Sequence, residues 1–299
     1  MIQLDSKEKT SMLGSKLSKT ELIFQMSTVS VATGKRSLKT VYRAIDGIDF
    51  AGALANWDRI LIKVNFVTTK TWDTGTTTDP LMVEALINRV RDLGKEVLVV
   101  ESDASTTNAD GAVIKTGMKE MLDRLGVEFI NMRKEKEQVK LTVTDGRALK
   151  SFKVAKIATE SAIISAAKLK GVNTVIVTMG LKNMFGMLSD KMKMKFHRKG
   201  IHKVIHDVCK TLPPTMTVVD GFVGLKGFMP MRGTPVLFNT ILASTDSVAC
   251  DSVGALIVGR NPHEVDYLRW LHESGLGEIE NYQIVGDSIE PLKEIFRNA

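Results

Sequence analysis

The sequence contains only two cysteines, Cys209 and Cys250, among 299 residues. Two thiols are too few for an iron–sulfur cluster or for a zinc site built mainly from cysteine. A disulfide between them stays open, although a reduced pair in a cytosolic protein is the simpler interpretation. We therefore expect no iron–sulfur chemistry in this chain.

Aromatic residues and long apolar segments are also scarce. The chain has three Trp, three Tyr and eleven Phe, which argues against a surface built to stack nucleic-acid bases. It has no run of about 18 apolar residues that would predict a transmembrane helix, and residues 1–19 are too polar for a signal peptide. The sequence thus predicts a cytoplasmic protein that does not enter a membrane. Residues 1–26 are expected to form a mobile tail, and residues 27–299 a single α/β domain as one body or two lobes.

Several well-known motifs are missing. Neither G-x-G-x-x-G nor the phosphate loop G-x-x-x-x-G-K-[ST] occurs, and no G-x-S-x-G elbow is present. His202 and His206 are four residues apart on one helical face, but Ile201, Val204 and Ile205 already mark that helix's buried side. We therefore assign no residue to a metal site. Glu101 and Asp103 leave Mg²⁺ open as an alternative, and whether a metal or an organic cofactor is bound is left undecided.

Positive charge is what the chain has in excess. The net charge is +7, and much of the excess lies in residues 191–203, where Lys, Arg and His cluster. Such a balance allows nucleic acid, an anionic membrane surface or an acidic substrate as a partner. The local clustering favours a site for a small anionic molecule, with nucleic acid as a weaker alternative; oligomeric state is left unknown.

Strand-like and helix-like segments alternate over most of the chain. This pattern predicts an α/β fold with a mainly parallel, layered sheet and helices on both faces. Asp145-Gly146 predicts a β-hairpin excursion near 139–155, at the edge of that sheet. Thr78 or Asp79 followed by Pro80 predicts the start of a helix. We also expect a helix at 114–125, strands at 175–177, 216–219 and 236–243, and a glycine-rich loop at 220–233.

Polar residues follow the predicted strands at many places along the chain. The carboxyl ends of parallel strands share one edge of a sheet, so these residues are expected to meet there. Ligand-contacting candidates are Lys63, Asn65, Glu101, Lys168, Lys170, Asn183, Arg232 and Asp246. Asp246 also fits the N-cap of the helix that follows it.

Lys182 is the leading catalytic candidate. It follows an apolar strand, and its neighbours Leu181, Met184 and Phe185 favour partial burial, which would lower its pKa and allow it to act as a base. His197 lies in the basic segment and can transfer protons near neutral pH. Asp220, directly after another strand, is the alternative proton carrier.

These motifs together resemble the uncharacterised family called domain of unknown function 362. The resemblance covers roughly residues 27–285 and is carried by Lys63-Val-Asn-Phe66, Thr78-Asp-Pro80, Val99-Val-Glu-Ser102, Ala167-Lys-Leu-Lys170, Leu181-Lys-Asn-Met-Phe-Gly186, His197, Val219-Asp-Gly221, Arg232-Gly233, Leu242-Ala-Ser-Thr-Asp246, Asp251 and Gly275-Leu-Gly277.

The chain departs from the family's usual pattern in four places. Val64 stands for a proline, Gly171-Val172 for Thr-His, and Met229-Pro230 for Gly-Pro, and the ferredoxin-type cysteine segment of many relatives is absent. The resemblance implies no general activity. Lys182 and His197 are also loosely similar, in order and spacing, to the lysine and histidine that hold the cofactor of nickel-pincer lactate racemases. We assign no cofactor from this similarity.

The sequence therefore favours an enzyme that acts on a small carboxylate or phosphate by acid/base chemistry at the carboxyl edge of the sheet. The alternative is a non-catalytic protein that binds a ligand or cofactor in the same pocket. Whether the chain is an enzyme at all is left open.

Overall fold

The computed structural model describes residues 26–172, 176–190, 193–229 and 231–299. The tail predicted for residues 1–26 lies almost wholly outside this part of the chain, as do Lys191 and the start of the strand predicted at 175–177.

The described strands are β1 (Ser27–Thr33), β2 (Arg59–Lys63), β3 (Glu96–Glu101), β4 (Phe129–Asn131), β5 (Gln138–Thr142), β6 (Ser151–Ala155), β7 (Ala162–Val172), β8 (Ile176–Thr178), β9 (Met216–Met229), β10 (Arg232–Val236), β11 (Thr240–Ser244) and β12 (Tyr282–Gly286). The described α-helices are α1 (Leu38–Asp46), α2 (Phe50–Leu54), α3 (Pro80–Asp92), α4 (Ala109–Lys115), α5 (Met118–Leu125), α6 (Gly180–Asn183), α7 (Met194–His197), α8 (Ile201–Thr211), α9 (Ser247–Ile257), α10 (Asp266–Glu273) and α11 (Glu290–Asn298).

One large sheet organises the fold, in the order β12-β1-β11-β9-β7-β2-β3-β4. The run β9-β7-β2-β3-β4 is parallel throughout, so the carboxyl ends of these strands share one edge. β11 pairs antiparallel with both β1 and β9, while β12 returns parallel to β1. The predicted α/β fold with a mostly parallel sheet is confirmed.

Helices cover both faces of the sheet because the buried strands are apolar on both sides. Ile60 and Ile62 of β2 pack with α1 to α5 on one face, whereas Leu61 packs with the helices from α6 onward on the other. The site is therefore built where two cores meet at the end of the parallel strands.

Helix α3 begins as the sequence predicts. The Asp79 carboxylate accepts the backbone N–H of Leu81 at 2.8 Å, and Pro80 occupies the first turn, where its missing N–H costs nothing. Asp246 caps α9 in the same way, accepting from the N–H of Ala249 at 2.9 Å.

Some predicted boundaries are wrong. The helix expected at 114–125 is two helices, because Gly117 adopts a left-handed φ of 79° between α4 and α5. β9 continues to Met229, through the segment expected to be a loop, because β10 and the second half of β7 pair with it. The strand expected at 236–243 is interrupted before Thr240, where Asn239 has a φ of 52°.

The hairpin at 139–155 forms, but as a separate two-stranded sheet of β5 and β6 rather than at the edge of the large sheet. Asp207 of α8 holds its loop, since its carboxylate accepts the N–H groups of Arg147, Ala148 and Leu149, each at 2.7 Å. Among the described residues, no helix combines the length and apolarity needed to cross a membrane.

Candidate functional site

A cavity of about 460 Å³ lies at the carboxyl edge of β2 and β3. Residues at the ends of these strands or just after them form one side, including Asn65, Phe66 and Glu101. The other side comes from the 182–186 segment, from α7 and its preceding residue, and from the start of α8. Most of the lining is apolar, so charged groups in it are poorly screened by water.

Lys63 and Glu101 form a buried ion pair in this lining, at 2.8 Å. The Lys63 ammonium also donates to the carbonyl of Val64 at 2.7 Å and to Oδ1 of Asn183 at 3.1 Å. An ammonium has three N–H donors, so these contacts use all of them. Burial lowers the pKa of Lys63, and Glu101 opposes that shift. Lys63 therefore positions the site and has no donor left for the anion that the sequence assigns to it.

Glu101 joins the ends of two strands. Its carboxylate accepts the N–H of Phe66 at 3.0 Å and the N–H of Ser102 at 2.8 Å, in addition to the Lys63 ammonium. Gly186 packs directly against this pair: a Cβ there would lie 2.4 Å from Nζ of Lys63 and 2.7 Å from Oε1 of Glu101. Glycine is required here because of that close approach.

Asn65 and Asn183 are side by side, as the sequence predicts, and they bond mainly within the protein. Oδ1 of Asn183 accepts from Nδ2 of Asn65 at 3.3 Å, and its own Nδ2 donates to the carbonyl of Lys63 at 2.9 Å and to Ser165 Oγ at 3.1 Å. Oδ1 of Asn65 accepts from the Lys170 ammonium at 2.7 Å. The two amides thus hold Lys63, which lines the cavity, and Lys170, which lies outside its lining.

Lys182 differs from the other cavity lysines. It is partly buried and lines the cavity, yet within the described ranges its ammonium makes no hydrogen bond or ion pair. Burial, and then the nearby charge of Lys63, lower the pKa of Lys182 to about 8. This side chain is available to a ligand.

Lys193 is a second cation in the lining, and it is not among the residues that the sequence predicts for the site. It is buried, and it donates to Ser102 Oγ and to the carbonyl of Gly186, the latter at 3.1 Å. Burial lowers its pKa to about 8, against the opposing charge of Glu101. Both partners are uncharged, and within residues 26–172, 176–190, 193–229 and 231–299 the ammonium makes only these two hydrogen bonds, so one of its three donors is available to an anion.

His197 lines the cavity beside these lysines. Its ring packs edge-on to Phe185, with the centroids 5.5 Å apart. Partial burial, and then the charge of Lys182, lower the pKa of His197, so the imidazole is neutral at pH 7. A neutral imidazole in the same cavity as Lys182 can accept a proton from a bound molecule.

Asp220 and Lys168 form a fully buried ion pair at 2.7 Å, outside the cavity lining. Asp220 also accepts the N–H of Asp79 at 2.8 Å, and Asp79 in turn pairs with Arg36 at 2.6 Å. Burial raises the pKa of Asp220. The structure therefore places Asp220 and Lys168 in a support that joins β7, β9 and α3, not beside Lys182.

Three further candidates also lie outside the lining. Lys170 is buried and donates to Asn65 and to the carbonyl of Thr76 at 2.7 Å. Arg232 is exposed on β10, although its neighbour Met231 reaches the cavity. The Asp246 carboxylate accepts hydrogen bonds from the N–H of Ala249, as the cap of α9, and from the hydroxyl of Ser27 at 2.6 Å.

Asp251 was not among the selected site residues, but it holds α6 in place. Its buried carboxylate accepts the N–H of Gly180 at 2.8 Å and that of Leu181 at 2.9 Å. Burial raises the pKa of Asp251 to about 7, and these two hydrogen bonds oppose the shift. The residue before Lys182 is therefore anchored by α9.

No group of three or more His, Cys, Asp or Glu side chains suited to a metal ion occurs in the part of the chain described. The His206 ring is hydrogen-bonded to Asp207, with 2.8 Å between Nδ1 of His206 and Oδ1 of Asp207. His202 packs near Tyr267 rather than lining the cavity.

The fold and the site define a class of α/β protein, one with a mixed sheet and a lysine-lined cavity at the carboxyl edge of that sheet. The model of the family described as domain of unknown function (DUF362) matches residues 60–256, and the chain belongs to this family. It is also similar to a thylakoid-associated protein of Synechocystis sp., with 25% identity over 247 residues, which are 80% of this chain and 74% of that protein. No solved structure matches the chain.

Proposed function

We propose that the chain is an enzyme that binds a small carboxylate or phosphate in this cavity and acts on it by acid/base chemistry. The observation that carries the proposal is the pair of lysines, Lys182 and Lys193, that line one cavity and that no carboxylate of the described residues pairs with. An anionic ligand would supply the missing countercharge.

The neighbouring carboxylates are already used. Glu101 pairs with Lys63, and Asp220 pairs with Lys168. Lys170 has only neutral acceptors, and burial lowers its pKa well below the usual value. Excess positive charge in a poorly screened cavity is costly in the empty protein, and an entering anion relieves that cost.

The roles follow from the contacts. Lys193 holds the anionic group through its unused donor, Lys182 contacts the reacting part of the molecule, and His197 accepts or returns a proton. Lys63 bonds to Glu101 and Asn183, and Asn183 bonds to Asn65, so these four residues hold the strand ends and the start of the 182–186 segment together.

Thermal unfolding in the presence of oxalate or phosphate tests the binding. We expect the midpoint to rise with ligand concentration, as mass action requires. Lys193→Gln keeps a donor for Ser102 or Gly186 but loses the charge, so we expect affinity to fall about 10- to 100-fold, the value of a charge-assisted hydrogen bond.

Lys195→Gln is the matched control. Lys195 lies two residues away, is exposed, and pairs with Asp190 outside the cavity lining, so this variant should keep the wild-type response. An equal loss of ligand affinity in both variants, or a wild-type unfolding midpoint that oxalate and phosphate do not raise, would contradict the proposal.

Turnover of a bound carboxylate or phosphate distinguishes an enzyme from the alternative, a protein that only binds its ligand. If the chain is an enzyme, His197→Ala should abolish that turnover and retain the stabilisation by oxalate or phosphate.

A cytoplasmic location is also part of the proposal. The Synechocystis relative is thylakoid-associated, which is the competing location, and cell fractionation distinguishes the two.

A further inference from the structure

We propose that Lys182 is a nucleophile that forms a Schiff base with the carbonyl carbon of a small 2-oxo acid. This inference rests on the proposed function, because the carboxylate of such a molecule is the anion that the cavity binds. It adds a substrate class and a covalent step to that function.

The first argument is the contrast among the lysines at this edge of the sheet. Lys63, Lys168 and Lys170 are held by partners, respectively Glu101, Asp220, and Asn65 with Thr76. A lysine bound in this way cannot approach a carbon atom without breaking those contacts. Lys182 has no such contact in the described residues and lines the cavity.

The second argument is the surroundings of that amine. Phe66, Phe185, Ile201 and Met231 give the cavity an apolar lining, which disfavours the charged ammonium. With a pKa of about 8, roughly a tenth of Lys182 is neutral at pH 7. An apolar pocket beside another cation is the setting that makes a lysine nucleophilic.

The third argument is that the two neighbouring groups complement the reaction. Lys193 and Lys182 line the same cavity, so one 2-oxo acid can present its carboxylate to Lys193 and its carbonyl carbon to Lys182. His197 lines the same cavity as Lys182, and we assign it the proton transfers of the reaction.

The step balances without an oxidant or a reductant. The lone pair of the neutral Lys182 amine forms the C–N bond while the C=O π electrons move to oxygen. The positively charged nitrogen then loses one proton to His197, which passes it to that oxygen and gives a neutral carbinolamine. His197 takes a further proton from solvent water and gives it to the hydroxyl, the C–O bond breaks as water leaves, and the nitrogen lone pair forms the C=N bond of the iminium. Hydrolysis reverses the sequence and returns the free lysine.

Reductive trapping tests this inference on the whole chain. The protein is incubated with glyoxylate, pyruvate or 2-oxoglutarate and with cyanoborohydride, and the modified residue is located by peptide mass spectrometry. We expect saturable labelling at Lys182 by at least one of the three acids. Oxalate should suppress it, and Lys193→Gln should reduce it at least 10-fold.

Lactate, which lacks the carbonyl group, should give no label, and Lys195→Arg should label as the wild type does. Because the site is read from the wild-type protein, the test does not depend on a Lys182 variant that folds. Labelling spread over surface lysines and unaffected by oxalate would overturn the inference.

The result also separates the two proposals. If oxalate stabilises the protein but none of the three acids labels Lys182, the Schiff base is wrong and anion binding stands. If oxalate neither stabilises the protein nor suppresses labelling at Lys182, the proposed anion site is wrong.

Discussion

Lys182 is a charged side chain that the folded protein does not stabilise. Its ammonium lies in an apolar cavity without a partner in the described ranges, and the folded pKa of about 8 measures the cost. Such local cost at a site is common where a ligand later supplies the missing interaction. Stability and function should therefore respond in opposite directions at this residue.

Lys182→Met tests this opposition, since Met keeps the length of the side chain and removes the charge. We expect the free energy of unfolding at pH 7 to rise by about 1–3 kcal/mol, at about 1.4 kcal/mol per pKa unit with a reduction for partial exposure. Denaturant unfolding measures it, and Lys199→Met, at an exposed lysine, is the control.

The pH dependence fixes the sign of this prediction. Between pH 8, the folded pKa, and about pH 10.5, the ordinary value, the unfolded chain binds more protons than the folded protein, so wild-type stability rises with pH. The advantage of Lys182→Met is therefore complete below pH 8 and gone near pH 10.5. A variant less stable than the wild type at pH 7 would show that the ammonium is well solvated or paired.

The sequence singles out Lys182 because it follows a strand among apolar residues, and His197 because it lies among the Lys and Arg residues of the basic segment. It does not distinguish Lys193 from Lys195, which belong to the same segment. The available signal is spacing: Lys193 is three residues before Phe196, and both are buried, as expected for one face of a helical turn.

Helix α6 is too short to define its own position. Its four residues, Gly180–Asn183, depend on Asp251 of α9, which accepts the N–H groups of Gly180 and Leu181. An element held by one distant side chain cannot be located from local sequence. The same holds for β9, where glycines suggest a loop but pairing with β7 and β10 extends the strand.

Asp251→Ala is expected to destabilise the protein by about 1–3 kcal/mol, because two buried N–H groups lose their acceptor. It should also weaken oxalate binding, because Lys182 is no longer held in place. Chemical denaturation and oxalate titration measure the two effects.

Asp246→Ala is the matched comparison for this variant. It removes a helix cap outside the cavity lining and should cost stability while leaving oxalate affinity unchanged. If Asp251→Ala binds oxalate as the wild type does, Asp251 has no role in positioning the site.

At the scale of the whole molecule, the parallel run β9-β7-β2-β3-β4 brings the site residues to one edge. The sequence predicts this meeting from strand–helix alternation alone. It cannot predict which charges neutralise each other there, because the Lys63–Glu101 and Lys168–Asp220 pairs depend on strand order and register. That pairing decides which cations remain for a ligand, and it leaves Lys182 and Lys193.

The most direct test of this account is the number of protons taken up when oxalate binds at pH 8, measured by titration calorimetry in buffers of different ionisation enthalpy. Lys182 and Lys193 have pKa values of about 8 in the empty protein, so each is about half protonated at that pH, and an anion raises both pKa values. The account predicts proton uptake that falls in Lys182→Met and in Lys193→Gln but not in Lys195→Gln. Oxalate that binds without proton uptake, or that does not bind, would contradict it.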